Sequence, residues 1–204
     1  MGGQNNFSCR SSFFIWLELR YCFDGEMMKK QKPVYKGVEF DSREEIEFYM
    51  WLDEAANHGL IFDGFTYQPM PYELSSKRTR LEVKQLKTKT KKVEKHLLHP
   101  HKYTADFQFR LTMKGERLNM FISDRSTGLV VVDVKGGFNQ HGGDREFSIN
   151  QKWVFDKYGV YVNKVVPEKL FEASWCPVEA RLTEKTRQVK KKYENCRTIE
   201  EFLK

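Results

Sequence analysis

Cysteine is scarce and badly placed for cross-linking. The chain has four (Cys9, Cys22, Cys176, Cys196), widely scattered and with no C-x-x-C pair. Neither a zinc ribbon nor a disulfide framework is expected, and the pattern fits a reducing cytosol. Long apolar runs are also missing. Phe13-Phe14-Ile15-Trp16-Leu17 is cut off by Glu18 and Arg20, too short to span a bilayer and without a small-residue cleavage site. No membrane partner and no secretory signal are therefore expected, and a soluble, cytoplasmic protein is. No internal repeat occurs. His96, His99 and His101 match no common zinc spacing, and Pro100 interrupts them.

The chain does have enough length and apolar content for one buried core, with 204 residues, 40% hydrophobic and 14% aromatic. Its charge is unevenly spread. The net charge is +7, yet residues 75–102 hold ten lysines and arginines against Glu82 and Glu94, a local +8. Everything outside that segment sums to about −1. Such a concentration of cations attracts phosphate and steers association, although a charged loop can also be merely solvated. Lys77, Arg78, Arg80, Lys84, Lys87, Lys89, Lys91, Lys92 and Lys95 are therefore candidate nucleic-acid contacts. Lys185, Arg187 and Lys190-Lys191-Lys192 form a second basic patch.

Ser42-x-x-Glu45 has the form of a capping box and opens a helix, with Ile46, Tyr49, Met50, Leu52 and Ala56 as its apolar stripe and Gly59 as its stop. Phe65 to Leu74 reads as one edge or bulged strand carrying Pro69 and Pro71. Residues 75–102 read equally as a hairpin, a helix or a loop. Tyr103 to Leu111 alternates as a strand, and Leu118 to Ile122 suggests a short one. Leu129 to Val134 is a continuous apolar run suited to a central strand buried on both faces. A helix near Arg145–Tyr158 and a strand over Val160–Val166 follow, then a basic amphipathic helix from Glu179 to Lys192 and a last helical turn over Thr198–Lys204. The expected division is an N-terminal extension (1–33), a core (34–171) with the basic insertion 75–102, and a basic helical C-terminal extension (172–204). Met27-Met28 and the lysines after it resemble a start, so residues 1–27 read as an extension or as a true N-terminal arm.

Three residues carry the chemistry. Asp133 and Lys135 lie two apart in a strand and share a face, and Asp106 sits in the preceding strand-like run. Two carboxylates with an ammonium are the minimal apparatus for metal-assisted phosphodiester hydrolysis: Mg²⁺ takes oxygen ligands, lowers the pKa of a water and screens phosphate. The lysine can orient the attacking water and offset charge on the transition state. D-x-K at a strand end is also a common solvated pair, and what gives it weight is the order of the segments around it.

That order resembles the PD-(D/E)xK nuclease superfamily. Phe40-Asp-Ser42-Arg-Glu-Glu45, Tyr67-Gln68-Pro69, Tyr103-Thr-Ala-Asp106-Phe107 and Val132-Asp133-Val134-Lys135-Gly136 look like phage-encoded endonucleases related to Holliday-junction resolvases. The resemblance covers about residues 34–166. It implies an α/β, restriction-endonuclease-like αβββαβ core with a mixed central sheet flanked by helices, and Mg²⁺-dependent cleavage of branched or junction DNA with Mn²⁺ able to substitute. It also implies a host cytoplasm location. Asp106 and Asp133 look like metal ligands, Lys135 like the catalytic lysine, and Glu45 like the helix glutamate that completes the acidic cluster; the alternative for Glu45 is a capping partner of Ser42. Glu44 and Glu47 are lesser candidates. Gln68, Gln151 and Lys152 could contact phosphate or water, or be structural. His141 lies in a loop beside the site. A homodimer and a partner protein on the C-terminal helix are further expectations. The competing readings are a catalytically silent nucleic-acid-binding protein and a nuclease subunit of a recombination or restriction complex.

Overall fold

A short hairpin of β1 (Val34–Tyr35) and β2 (Val38–Glu39) leads into α1 (Arg43–Asn57) in the computed structural model, which describes residues 32–137 and 143–204. The described residues belong to one compact unit, Lys32–Lys204. The expected extension up to residue 31 and the loop with His141 lie outside them. Ser42 caps α1, its hydroxyl accepting the Glu45 N–H at 3.2 Å. His58 and Gly59, at φ 72°, end the helix. The fully buried stripe is Phe48, Trp51, Leu52 and Ala55; Ile46, Tyr49, Met50 and Ala56 pack at its margin. The expected stripe is thus rotated, because the aromatic residues Phe48 and Trp51 take the deepest positions. They stack with centroids 5.8 Å apart.

Next come β3 (Ile61–Tyr67), β4 (Tyr72–Ser75), β5 (Arg78–Gln85), β6 (Thr90–Leu98), β7 (His101–Tyr103) and β8 (Phe107–Leu111). After a 3-10 turn at Lys114–Arg117 come β9 (Leu129–Val134), α2 (Gly143–Tyr158), β10 (Val162–Val165), α3 (Pro167–Ala173), α4 (Val178–Arg181) and α5 (Ile199–Leu203). Four strands form the main sheet in the order β10-β9-β8-β3. The β9–β10 pair is parallel and the other two are antiparallel. The protein is therefore a mixed α/β fold whose four-stranded mixed sheet is flanked by helices, with α2 as the crossover the parallel pair needs. Strand β9 is buried on both faces. Val130, Val132 and Val134 belong to the cluster that holds the buried face of α1, while Val131 packs with Tyr103, Ala105, Phe147 and Val154 on the α2 side.

Four expected elements differ. The strand over Tyr103–Leu111 is broken at residues 104–106, so that Tyr103 ends β7 and Phe107 opens β8 in another sheet. The single strand over Phe65–Leu74 is two, because Gln68 takes φ 46° and Pro69 and Pro71 cannot donate to a ladder. Residues 118–122 form no strand. The Asn163 side chain accepts the Ile122 N–H and donates to its C=O, both at 2.8 Å, in place of a neighbouring strand. The basic helix over Glu179–Lys192 is also absent. Only Val178–Arg181 is α-helical, with a 3-10 turn at Lys191–Tyr193; Leu182 bridges Val189, and Thr183 turns the chain by accepting from Arg187 and exchanging bonds with Gln188. Residues 172–204 are part of the core, since Trp175, Cys176, Ala180, Tyr193 and Ile199 are buried in the main cluster.

Candidate active site

The site is built where β9 leaves the sheet. Period-two alternation turns Asp133 and Lys135 to the α2 side. Asp133 is only 3% exposed. Its Oδ2 accepts the Tyr103 hydroxyl at 2.5 Å, and its Oδ1 pairs with the Lys135 ammonium. That oxygen is buried, and the Lys135 ammonium is its partner. The Lys135 ammonium also lies 5.8 Å from the Phe147 ring centroid, and its backbone N–H extends the parallel ladder to Val165. Tyr103 stays neutral: burial and then the Asp133 charge push its pKa upward.

Asp106 occupies the gap between β7 and β8. Its N–H donates to Val132 C=O at 3.0 Å, its C=O accepts from Gln68 N–H at 2.8 Å, and its Oδ2 accepts the Val134 N–H at 2.6 Å. The side chain thereby replaces a strand at the end of β9. Burial, then the charges of Asp133 and Glu45, push its carboxyl up to about 7, against the Val134 N–H and Lys135. This is a pair of acids pressed together with one cation to relieve them.

Glu45 stands near enough to be felt by Asp106 but is turned elsewhere. Its carboxylate accepts the Ser42 hydroxyl at 2.9 Å, the Asp41 N–H at 3.2 Å and the Tyr67 hydroxyl at 2.7 Å. The capping arrangement with Ser42 is therefore formed. Among the described residues no group of three or more His, Cys, Asp or Glu side chains is spaced to hold a metal. Glu47 is buried against the Tyr193 hydroxyl at 3.0 Å. Glu44 is the freer acid, half-buried on α1, with its carboxylate 3.5 Å from the point where a Cβ on Gly136 would lie. A cleft of about 550 Å³ opens beside it, lined by Arg43, Glu47, Gly137, Glu168 and Lys192 but not by Asp106 or Asp133.

The outer candidates are mostly structural. Gln68 Nε2 donates to Asp41 at 3.1 Å and Tyr67 at 3.2 Å; Gln151 Nε2 donates to Val162 C=O at 2.6 Å. Lys152 is exposed on α2. His101 bonds Asn150 at 2.8 Å, and the His96 and His99 rings stack. Sequence reasoning missed Tyr67 and Tyr103, whose hydroxyls hold the carboxylates of Glu45 and Asp133. Each stands inside a motif quoted for its acid or amide, which was the available signal. The nine basic candidates are exposed on and around the β5–β6 hairpin.

The donor chemistry fits a hard divalent cation. All the ligand atoms on offer are oxygens, and burial and the Asp133 charge raise the Asp106 carboxyl to about 7 beside a single ammonium, a deficit of positive charge that a dication would make good. Against known proteins, no family model, no curated sequence and no solved structure matches this chain.

Proposed function

We propose that this chain is a metal-dependent endonuclease of the PD-(D/E)xK kind that hydrolyses DNA phosphodiester bonds, with branched or junction DNA as the substrate the resemblance implies. The observation that supports it is the convergence of Asp106, Asp133 and Lys135 at the end of the central strands, with the two acids sharing one cation. Asp106 and Asp133 would hold Mg²⁺ or Mn²⁺, which when bound supplies a water of lowered pKa and charge to screen the phosphate. The chain's own part is preorganisation. Tyr103 and the Val134 N–H fix one oxygen of each carboxylate, and Lys135 pairs with the other oxygen of Asp133. Lys135, fixed by Asp133 and by the Phe147 ring, directs its ammonium toward negative charge developing on the phosphate, where a placed cation counts most.

A second reading, a nucleic-acid-binding protein without catalysis, draws on the commitment of Glu45 to its cap and on there being, among the described residues, no third acid grouped with the pair. Both readings are separated by incubating the protein with supercoiled, linear, single-stranded and four-way-junction DNA in Mg²⁺ or Mn²⁺. Asp133→Ala and Lys135→Ala are expected to lower cleavage by at least about 10²-fold. Absence of metal-dependent cutting on every substrate overturns the enzyme reading, and cutting that survives Asp133→Ala overturns the site.

A further inference from the structure

The β5–β6 ribbon has two chemically different faces, and the register sorts them. Directly opposed residues in an antiparallel pair point to the same side. On one side Arg80 faces Lys95 and Lys84 faces Lys91, with Glu82 and Val93 between. On the other, Thr79 faces His96, Leu81 faces Glu94, Val83 faces Lys92 and Gln85 faces Thr90, a formal charge of zero with histidine neutral. The sequence shows ten cations in one segment; the register puts four of them on one face of the regular ladder, with Arg78 opposite Leu98 beyond a bulge.

Those four are costly to keep. Like charges directly across a ladder destabilise it, and a lone two-stranded ribbon is marginal in water. Both strands are exposed almost throughout. Of the four cations only Lys95 has an acidic partner among the described residues, Glu82 at 3.1 Å. The arrangement calls for an external polyanion. At about 3.4 Å per residue, the pair Arg80/Lys95 lies roughly 14 Å from the pair Lys84/Lys91. The major groove of B-form DNA is about 12 Å wide. A single strand offers one backbone, and proteins that grip single strands add aromatic platforms. Residues 75–102 contain no Phe, Tyr or Trp.

We infer that the ribbon lies across the major groove of a B-form duplex, Arg80 and Lys95 on one phosphate backbone and Lys84 and Lys91 on the other, with its Leu81/Val83 face turned away. This rests on the reading that the substrate is DNA, and it adds which form of DNA is held and by which side chains. The grip is independent of sequence, because only phosphates are met.

The test is equilibrium binding in EDTA, so that cleavage plays no part. A 24-base-pair DNA duplex, a duplex RNA of equal length and oligo-dT are titrated across a KCl series with the wild type. The duplex DNA is then titrated with Arg80→Gln/Lys95→Gln, Lys84→Gln/Lys91→Gln, their combination and Lys92→Gln. Each double variant is expected to make the slope of log K against log[KCl] shallower by about 1.8, and the combination by about 3.6. Lys92→Gln should have less than half the effect of either pair, and DNA duplex should bind more tightly than the other two probes. A slope shallower by about 0.9 in Lys92→Gln, as one phosphate contact would give, an unchanged slope in the combined variant, or oligo-dT or duplex RNA bound as tightly as duplex DNA overturns the inference. Thermal unfolding checks that the variants fold, and removal of like-charge pairs should not lower it. Binding that follows this pattern in a protein that never cuts would sink the nuclease reading and leave this one standing; cutting by a protein whose combined variant binds normally would do the reverse.

Discussion

Asp106 is asked to be a structural acceptor and a charged ligand at once. Its Oδ2 ties off the Val134 N–H, yet burial and the charges of Asp133 and Glu45 raise its pKa to about 7. A carboxyl raised in the folded state contributes stability below its unfolded pKa of about 3.9 and loses it as pH climbs through 7. Asp106→Asn keeps an acceptor for Val134 and removes the charge. In EDTA at pH 8 it should raise the melting temperature by about 2–4 °C, on the order of 1 kcal/mol once solvent screening of a half-buried group is allowed for. It should also flatten the decline in stability between pH 4 and 7. Added Mn²⁺ should stabilise the wild type increasingly as pH rises toward 7 and do nothing for the variant. Calorimetry across pH checks this, and a variant less stable than wild type at pH 8 would contradict it. The sequence made Asp133 and Lys135 legible because the period of a strand fixes their shared face. It could not decide Glu45, since S-x-x-E reads the same for a cap and a ligand; the Ser42 hydroxyl, the Asp41 N–H and the Tyr67 hydroxyl, the last brought in by tertiary contact, together show where the carboxylate turns.

Elements were legible where one local signal dominated. α1 announced itself through Ser42 and Gly59, and β9 through its apolar run, both features of a few adjacent residues. Elements failed where a distant partner decided the outcome. The ladder expected at residues 118–122 is supplied by the Asn163 side chain, 41 positions further on. The helix expected over 179–192 yields to packing, because Tyr193 must reach Glu47 and Phe171. The 3-10 turn before residue 118 is fixed in the same long-range way. A Cβ on Gly115 would lie 2.0 Å from the Leu60 carbonyl oxygen, a backbone atom that cannot step aside. Gly115→Ala should therefore destabilise the fold by about 1–3 kcal/mol. Urea unfolding measures it, and a neutral result would mean that the turn and the α1–β3 connection separate easily.

At the scale of the whole molecule, the C-terminal residues close the core. Trp175 stacks on Trp51 with centroids 4.5 Å apart, and Tyr193 donates to the buried Glu47. Sequence alone suggested a basic helical extension because its lysines masked the few apolar residues that matter. Truncation after residue 171 should abolish cooperative unfolding, as loss of a fully buried Trp costs about 3–5 kcal/mol before the rest is counted; a sharp transition in the truncated chain would refute this. The ribbon, by contrast, belongs to folding as well as to binding. Tyr67 must meet Phe107 across an excursion of 39 residues for β3 to pair with β8. The β5–β6 hairpin and the β4–β7 pair are contacts inside that excursion. Once they form, only seven residues remain unpinned between the strands, and the entropy of closing the loop falls by roughly 1.5 kcal/mol. A turn of local sequence thus shortens the chain's search for its most distant antiparallel partner, and the charges that line it are carried to the edge of the sheet before any substrate arrives.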